Sequence, residues 1–524
     1  MKRRQETVRG SFFVLLGIVL YLTGCNGEKN EPGSSPGNGT SVTITGTIQY
    51  EDRPYDSGGF TGTVLHPVRK AIVEVVRDAD SRVLTSGATA LDGSYSLAFT
   101  NTGQAGVYVR VRAQTADSTV TVSNSSGVLY AIITLGIDDS MAPGFSGVDL
   151  TATTADIGGV FNILDVLLTG AEFVTTLAGV PPPLVTAEWA AGSCDGTYFD
   201  PADDSIHILG GGNTEDCPLS VGDTDEYDDP VLLHEYGHFI ADNYSKDHSP
   251  GGIHYLDDNT QDIRLSWSEG WGNFFTSAVR NDPLYMDTSG TVAQLSFEIE
   301  NLTPTGLSSA AIYTTNELSV AAALWDIFDA PSTVEGWDAV SAGMTPIWDV
   351  FANDLICTNC GITNVSFEDF WDGWFVRGYG LPAEMETVVA DRQMALKADG
   401  FEPDDTAANA KPITVNAPIQ THTFYPSGDV DYVSFSATLG TIYTVRTSGL
   451  TNGADSFLEV LNTSGTTVLS VNDDATTVTK SSTCGVNPVT QQSNCPPNDA
   501  TTLSSKVLFT APADGTYYVR VSRS

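Results

Sequence analysis

Val231-Leu232-Leu233-His234-Glu235-Tyr236-Gly237-His238-Phe239-Ile240 is the stretch on which the reading of this chain turns. His234 and His238 are four residues apart, so on a helix their imidazoles stack on one face about one turn apart. That spacing suits two positions of a tetrahedral zinc ion, and Glu235 sits beside them to act on a coordinated water. The flanks favour a helix. Asp228 and Asp229 supply N-cap and dipole-complementing charge, Pro230 fits the first helical position, and Val231, Leu232, Phe239 and Ile240 form an apolar face. The competing reading is a core helix with two satisfied histidines. With 7 histidines in 524 residues, two of them bracketing a glutamate favour the metal.

Zinc needs a third protein ligand. The continuation Phe239-Ile240-Ala241-Asp242-Asn243-Tyr244 lacks the glycine and histidine of a metzincin, which excludes that subclass. Downstream, Leu265 to Val279 reads as a second apolar helix with small residues at Gly270, Gly272 and Ser277. Glu269 falls in its first turn, where a carboxylate can reach a metal across a close helix contact. Asn273 shares that face and is placed to hydrogen-bond a ligand imidazole. The alternative for Glu269 is a capping box with Ser266.

With these residues the chain resembles the gluzincin metallopeptidases, the thermolysin-like group with two His and one Glu on zinc. It looks most like secreted bacterial members carrying His-Glu-Tyr-Gly-His followed by Ser-Glu-Gly-Trp. The resemblance covers roughly residues 150–397 and is specific at His234, Glu235, His238 and Glu269. It implies an α+β zincin-type domain that hydrolyses peptide bonds of extracellular proteins or peptides. In that reading His234, His238 and Glu269 hold zinc, and Glu235 relays the proton from water to the leaving amine. Tyr313, His254 and Tyr255 are candidate transition-state donors by chemistry alone. Asn273 departs from the acidic residue usual at its position, and nothing resembles the thermolysin-type inhibitory pro-domain. The alternative function is a catalytically inactive surface-binding or adhesion lipoprotein on a zincin fold; the intact Glu235 argues against it.

Lys2, Arg3, Arg4 and Arg9 precede a short apolar run, Ser11 to Tyr21, and then Leu22-Thr23-Gly24-Cys25. This reads as a signal peptide over 1–24. Leu-x-Gly-Cys resembles the bacterial lipobox, which implies lipid attachment at Cys25 and an outer-membrane or cell-surface location. Residues 25–40 form a Gly/Pro/Ser-rich tether. No stretch after Tyr21 is expected to cross a membrane. The six remaining cysteines fall as local pairs, Cys194 with Cys217, Cys357 with Cys360 and Cys484 with Cys495, read as disulfides of an exported protein.

A formal charge of −41 excludes a nucleic-acid partner bound by phosphate neutralisation. It also leaves the lipid as the membrane attachment. Several domains are expected at this length. Residues 41–135 alternate in strand fashion and resemble a carboxypeptidase regulatory-like β-sandwich. The peptidase domain spans 141–398. In it Ala155 to Leu177 reads as a helix, and Leu184 to Trp189 and Ser205 to Leu209 as strands, the last placed as the substrate-pairing edge. Residues 401–524 form a β-sandwich or jelly roll whose Phe401-Glu-Pro-Asp-Asp-Thr406 and Gly428-Asp-Val-Asp-Tyr432 resemble the bacterial pre-peptidase C-terminal domain. There Glu402, Asp404, Asp405, Asp429 and Asp431 are candidate calcium ligands, with solvated turn carboxylates as the alternative. Neither flanking β segment carries a catalytic constellation, so a fragment of about 141–400 is expected to retain activity.

Overall fold

The computed structural model describes residues 39–523, apart from 104, 141–142, 195, 212–221, 301–312, 332–337, 356–364, 395, 397–398, 426–428, 451–454 and 474–503. Cys25, Cys217, Cys357, Cys360, Cys484 and Cys495, with the signal peptide and most of the tether, lie outside the described residues. Cys194 is disulfide-bonded.

The N-terminal strands do not close on themselves. An eight-stranded sheet runs, edge to edge, through 198–200, 205–208, 185–189, 120–123, 107–115, 71–77 and 83–88, with 131–133 paired to 107–115. Val120–Ser123 pairs in parallel with Val185–Trp189, so the sheet passes without a break from the N-terminal segment into the segment bearing the zinc-type helix. Inward residues alternate along each strand, as in Val107, Val109, Val111 and Ala113, all fully buried. A second sheet builds on Ser41–Asp52 and takes Ser94–Thr100 as an antiparallel neighbour. A third joins Tyr55–Asp56 and Gly59–Phe60 to Leu284–Ser289 and Val292–Glu298. One continuous hydrophobic core extends from Val42 to Leu396. The expected boundary near residue 140 is therefore no boundary of the core, and 41–135 is not a separate β-sandwich in packing.

Helix α1, Gly158–Ala178, buries Phe161, Leu164, Leu167 and Leu168 between these sheets and the next helix. It corrects one expectation: its 21 residues are long and apolar enough to cross a membrane by length and composition. Its apolar face is instead occupied by the core, most of its residues being buried. Helices α2 (Asp229–Tyr244) and α3 (Ile263–Arg280) follow, then α4 (Glu317–Phe328), α5 (Met344–Asn353), α6 (Phe367–Val376) and α7 (Pro382–Asp391). Helix α2 starts one residue before Pro230. Its N-cap Asp228 makes no side-chain cap; the carboxylate instead accepts from Thr288 N at 2.9 Å and from Thr288 Oγ1. Helix α3 starts at Ile263 because Asp262 caps it, accepting from Arg264 N. Glu269 thus sits in the second turn and Ser266 inside the helix, so the capping-box alternative fails.

The edge of the eight-stranded sheet is also corrected. Ser205–Ile208 is flanked on both sides, and the outer strand is Tyr198–Asp200, antiparallel to it. Tyr198–Asp200 forms a hairpin with Ser205–Ile208 here, which periodicity alone does not reveal.

The C-terminal segment has its own core, built from Val433, Phe435, Leu458, Val460, Phe509, Tyr517 and Val519 among others. It pairs a five-stranded sheet centred on Val430–Ala437 and Gly515–Arg523 with a two-stranded sheet of Ile442–Arg446 and Lys506–Thr510. The chain is thus multidomain and rich in β-sheet, with a β-built C-terminal unit.

Candidate metal centre

Helices α2 and α3 approach closely enough to converge three side chains. A Cβ on Gly237 would lie 3.2 Å from the Gly272 Cα, and one on Gly272 would lie 2.8 Å from the His234 ring. Any side chain at Gly272 would displace that imidazole. Trp271 locks the pair by donating its indole N–H to the Gly237 carbonyl at 3.1 Å. Gly270 does the same service toward α4, where a Cβ would meet Val320 at 2.6 Å. The small residues on α3 therefore mark backbone contact.

At this crossing His234 Nε2 lies 3.2 Å from Glu269 Oε2 and 3.2 Å from His238 Nε2, and His238 Nε2 lies 3.4 Å from Glu269 Oε2. Zinc bonds of about 2.0–2.1 Å at the tetrahedral angle place ligand atoms about 3.3 Å apart. Two imidazole nitrogens and one carboxylate oxygen at these separations could form one face of such a tetrahedron, a donor set that zinc accepts. The surrounding groups orient them. Asn273 Oδ1 is 3.1 Å from His234 Nδ1, in the position expected for it. On His238 the corresponding partners are Ser268 Oγ, 3.2 Å from Nδ1, and Asp247 Oδ2, 3.7 Å away and itself accepting from Ser268 at 2.6 Å. Sequence reasoning missed both. Ser268 stood beside Glu269 as a signal, whereas Asp247 comes from a loop with no periodicity to place it.

The electrostatics follow from burial and proximity. Burial disfavours charge on both His238 and Glu269. Their mutual attraction outweighs it, holding His238 well above the usual imidazole value and Glu269 well below the usual carboxylate range. Glu235 Oε2 accepts the Phe199 N–H of the edge strand at 2.9 Å. Burial pushes its carboxyl up, with His234 and His238 opposing.

Of the three candidate donors, His254 is the one in contact with a ligand side chain among the described residues, its Nε2 3.8 Å from Glu269 Oε2. Its Nδ1 is held 2.8 Å from Oε2 of Glu317, a residue 1% exposed at the start of α4. That hydrogen bond raises His254 to about 9 against the opposing effect of burial. Tyr255 is 64% exposed, and Tyr313 is tied through its backbone N–H to the Arg392 carbonyl at 2.7 Å.

In the C-terminal unit Glu402, Asp404 and Asp431 bring carboxylate oxygens within 4.8 Å of one another. Asp404 is fully buried, and neither of its carboxylate oxygens has a hydrogen-bond partner among the described residues. Asp429 turns back on the chain, accepting from Tyr425 N and Val430 N, and Asp405 is exposed. The structure adds Asp399 and His422 to this cluster, with His422 Nδ1 2.8 Å from Asp431 Oδ1.

Residues 183–388 match the Mycolysin C-terminal domain, and residues 429–523 match the bacterial pre-peptidase C-terminal domain. No curated protein matches the chain. Among solved structures, the precursor of protealysin, a metalloproteinase from Serratia proteamaculans, is 11% identical over 52% of this chain and 85% of its own, with a TM-score of 0.27. A 9R-lipoxygenase from Cyanothece PCC8801 is 14% identical over 30% of this chain and 27% of its own, with a TM-score of 0.14. Neither structural likeness is close enough to carry an argument.

Proposed function

We propose, from the premise that the chain joins a domain of the mycolysin zinc-metalloprotease family to a pre-peptidase C-terminal domain, that it is a zinc-dependent peptidase acting on extracellular proteins or peptides. The observation that carries the reading is the equal spacing of His234 Nε2, His238 Nε2 and Glu269 Oε2. His234, His238 and Glu269 would hold the ion. When bound, zinc supplies Lewis acidity for a water and for the scissile carbonyl. Glu235 takes the proton from the attacking water and returns it to the leaving amine. His254, charged and fixed by Glu317, donates to the carbonyl oxygen as it gains negative charge. An extended substrate would lie along the open side of Tyr198–Asp200.

Purified protein is expected to carry about one catalytic zinc and to cleave casein, with activity removed by chelation. Glu269→Ala should lose most of that zinc, since three protein ligands are the minimum for such a site. Full zinc retention in Glu269→Ala, measured by atomic absorption, would take the residue out of the ligand set.

Two proposals concern placement and the second metal. The basic start, short apolar run and Leu-Thr-Gly-Cys25 support a lipoprotein held to the outer membrane or cell surface through Cys25. Cys25→Ala should move the protein to the soluble fraction; persistent membrane association would point to another anchor. Calcium is the proposed occupant of the Glu402, Asp404, Asp429 and Asp431 region, because the buried Asp404 carboxylate makes no hydrogen bond among the described residues and faces the His422 imidazole at 3.7 Å together with further carboxylates. Calcium should raise the melting temperature of wild-type protein, and Asp404→Ala should lose that rise. An equal rise in the variant would return these residues to solvated turn carboxylates.

A further inference from the structure

The hairpin that supplies the edge strand carries a second constellation, apart from His234, His238 and Glu269. Asp200, Asp203 and His207 each bring one ligand atom within 4.8 Å of the others. The His207 ring is fixed from two directions. Across the hairpin it stacks on its register partner Tyr198, with centroids 4.7 Å apart and planes at 18°. From the neighbouring parallel strand, Glu188 Oε2 stands 3.6 Å from its Nδ1. The other nitrogen, Nε2, faces the turn, 3.0 Å from Ser205 Oγ. A carboxylate behind one imidazole nitrogen, with oxygen donors before the other, is the arrangement that metal-binding histidines use to fix their tautomer and direction.

The turn is built to present oxygen. Asp200 accepts from Ala202 N at 2.8 Å and Asp203 from Ser205 Oγ at 2.6 Å, each through Oδ1, which leaves a second oxygen on each without a hydrogen bond among the described residues. Asp204, which follows Asp203, has φ 56, and its charge reaches Asp242 on α2.

We propose that Asp200, Asp203 and His207 form a further divalent-cation site, on the turn of the edge hairpin, for a borderline ion of the zinc class. One imidazole nitrogen and two carboxylates, with waters completing the shell at this exposed turn, favour zinc over the all-oxygen preference of calcium or magnesium. The ion would tie the turn to Ser205–Ile208 and so hold Tyr198–Asp200, whose Phe199 N–H reaches Glu235. Cation occupancy is then coupled to the order of the substrate-pairing edge.

The test is equilibrium dialysis of the full chain against excess zinc, with calcium present to fill oxygen-only clusters. Wild-type protein should bind one more zinc than either His207→Ala or Asp203→Ala, and Glu235→Gln should keep the wild-type number. Asp203 is exposed at the turn, so its loss does not threaten the fold. Excess zinc should slow amide hydrogen exchange over 198–207 in wild-type protein and leave it unchanged in His207→Ala. Retention of the wild-type zinc number by either variant, or exchange that zinc does not slow, overturns the site. Neither readout uses peptide hydrolysis, so failure of the peptidase reading would be seen separately.

Discussion

Glu235→Gln is expected to lower peptide hydrolysis by about 10²–10⁴-fold, the usual worth of a positioned general base, while zinc content and melting temperature stay near wild type. The geometry makes this substitution unusually clean. Glu235 Oε2 accepts the Phe199 N–H at 2.9 Å, and a glutamine carbonyl can accept the same hydrogen bond, so the side chain keeps its place and loses only its basicity. His254→Ala should lower kcat by a smaller factor and leave zinc in place, because its nearest ligand contact is at 3.8 Å. Steady-state kinetics on a short peptide, read beside metal analysis, separates the two. Hydrolysis by Glu235→Gln within about tenfold of wild type would move the base elsewhere. Zinc loss in that variant would make Glu235 structural. If zinc-loaded wild-type protein cleaves nothing, the surface-binding reading replaces the peptidase.

What was legible in the sequence was whatever local periodicity or residue chemistry could express. The helix bearing His234 and His238 is announced by its spacing and by Asp-Asp-Pro before it. The strand at 185–189 is equally plain in its pattern. Glu269 and Asn273 could be placed opposite the histidines because glycines mark where backbones meet. Asp247 and Glu317 were not legible as site residues, because each acts through a contact made by a loop or a third helix, whereas Ser268 stood beside Glu269 and was missed. The outer strand Tyr198–Asp200 is three residues long, too short for a period of two to stand out. The N-terminal segment shows the general limit. Its strands read as a self-contained sandwich because alternation reveals that a face is buried, and says nothing about which later element covers it.

That last point yields an all-or-none prediction. A fragment of 141–400 is expected not to fold, whereas 39–400 should fold and retain zinc, contrary to the expectation that the N-terminal β segment is dispensable. Removing residues before 141 strips Val185–Trp189 of one of its two parallel partners, Val120–Ser123, and uncovers the face of α1 bearing Phe161, Leu164, Leu167 and Leu168. Burial of each such side chain is worth about 1.5–3 kcal/mol, so four of them approach the whole net stability of about 5–15 kcal/mol typical of a domain. The cut also removes Tyr55, whose hydroxyl accepts from Arg280 at 2.9 Å, and the Gly59 pairing to Val292. Arg53, which lies 4.8 Å over the Tyr227 ring just before the zinc-type helix, is lost as well. Circular dichroism and zinc content of the two fragments decide the matter. A cooperative melt with bound zinc in 141–400 would show that the N-terminal strands are an appendage; its absence there and presence in 39–400 would make them one wall of the catalytic domain.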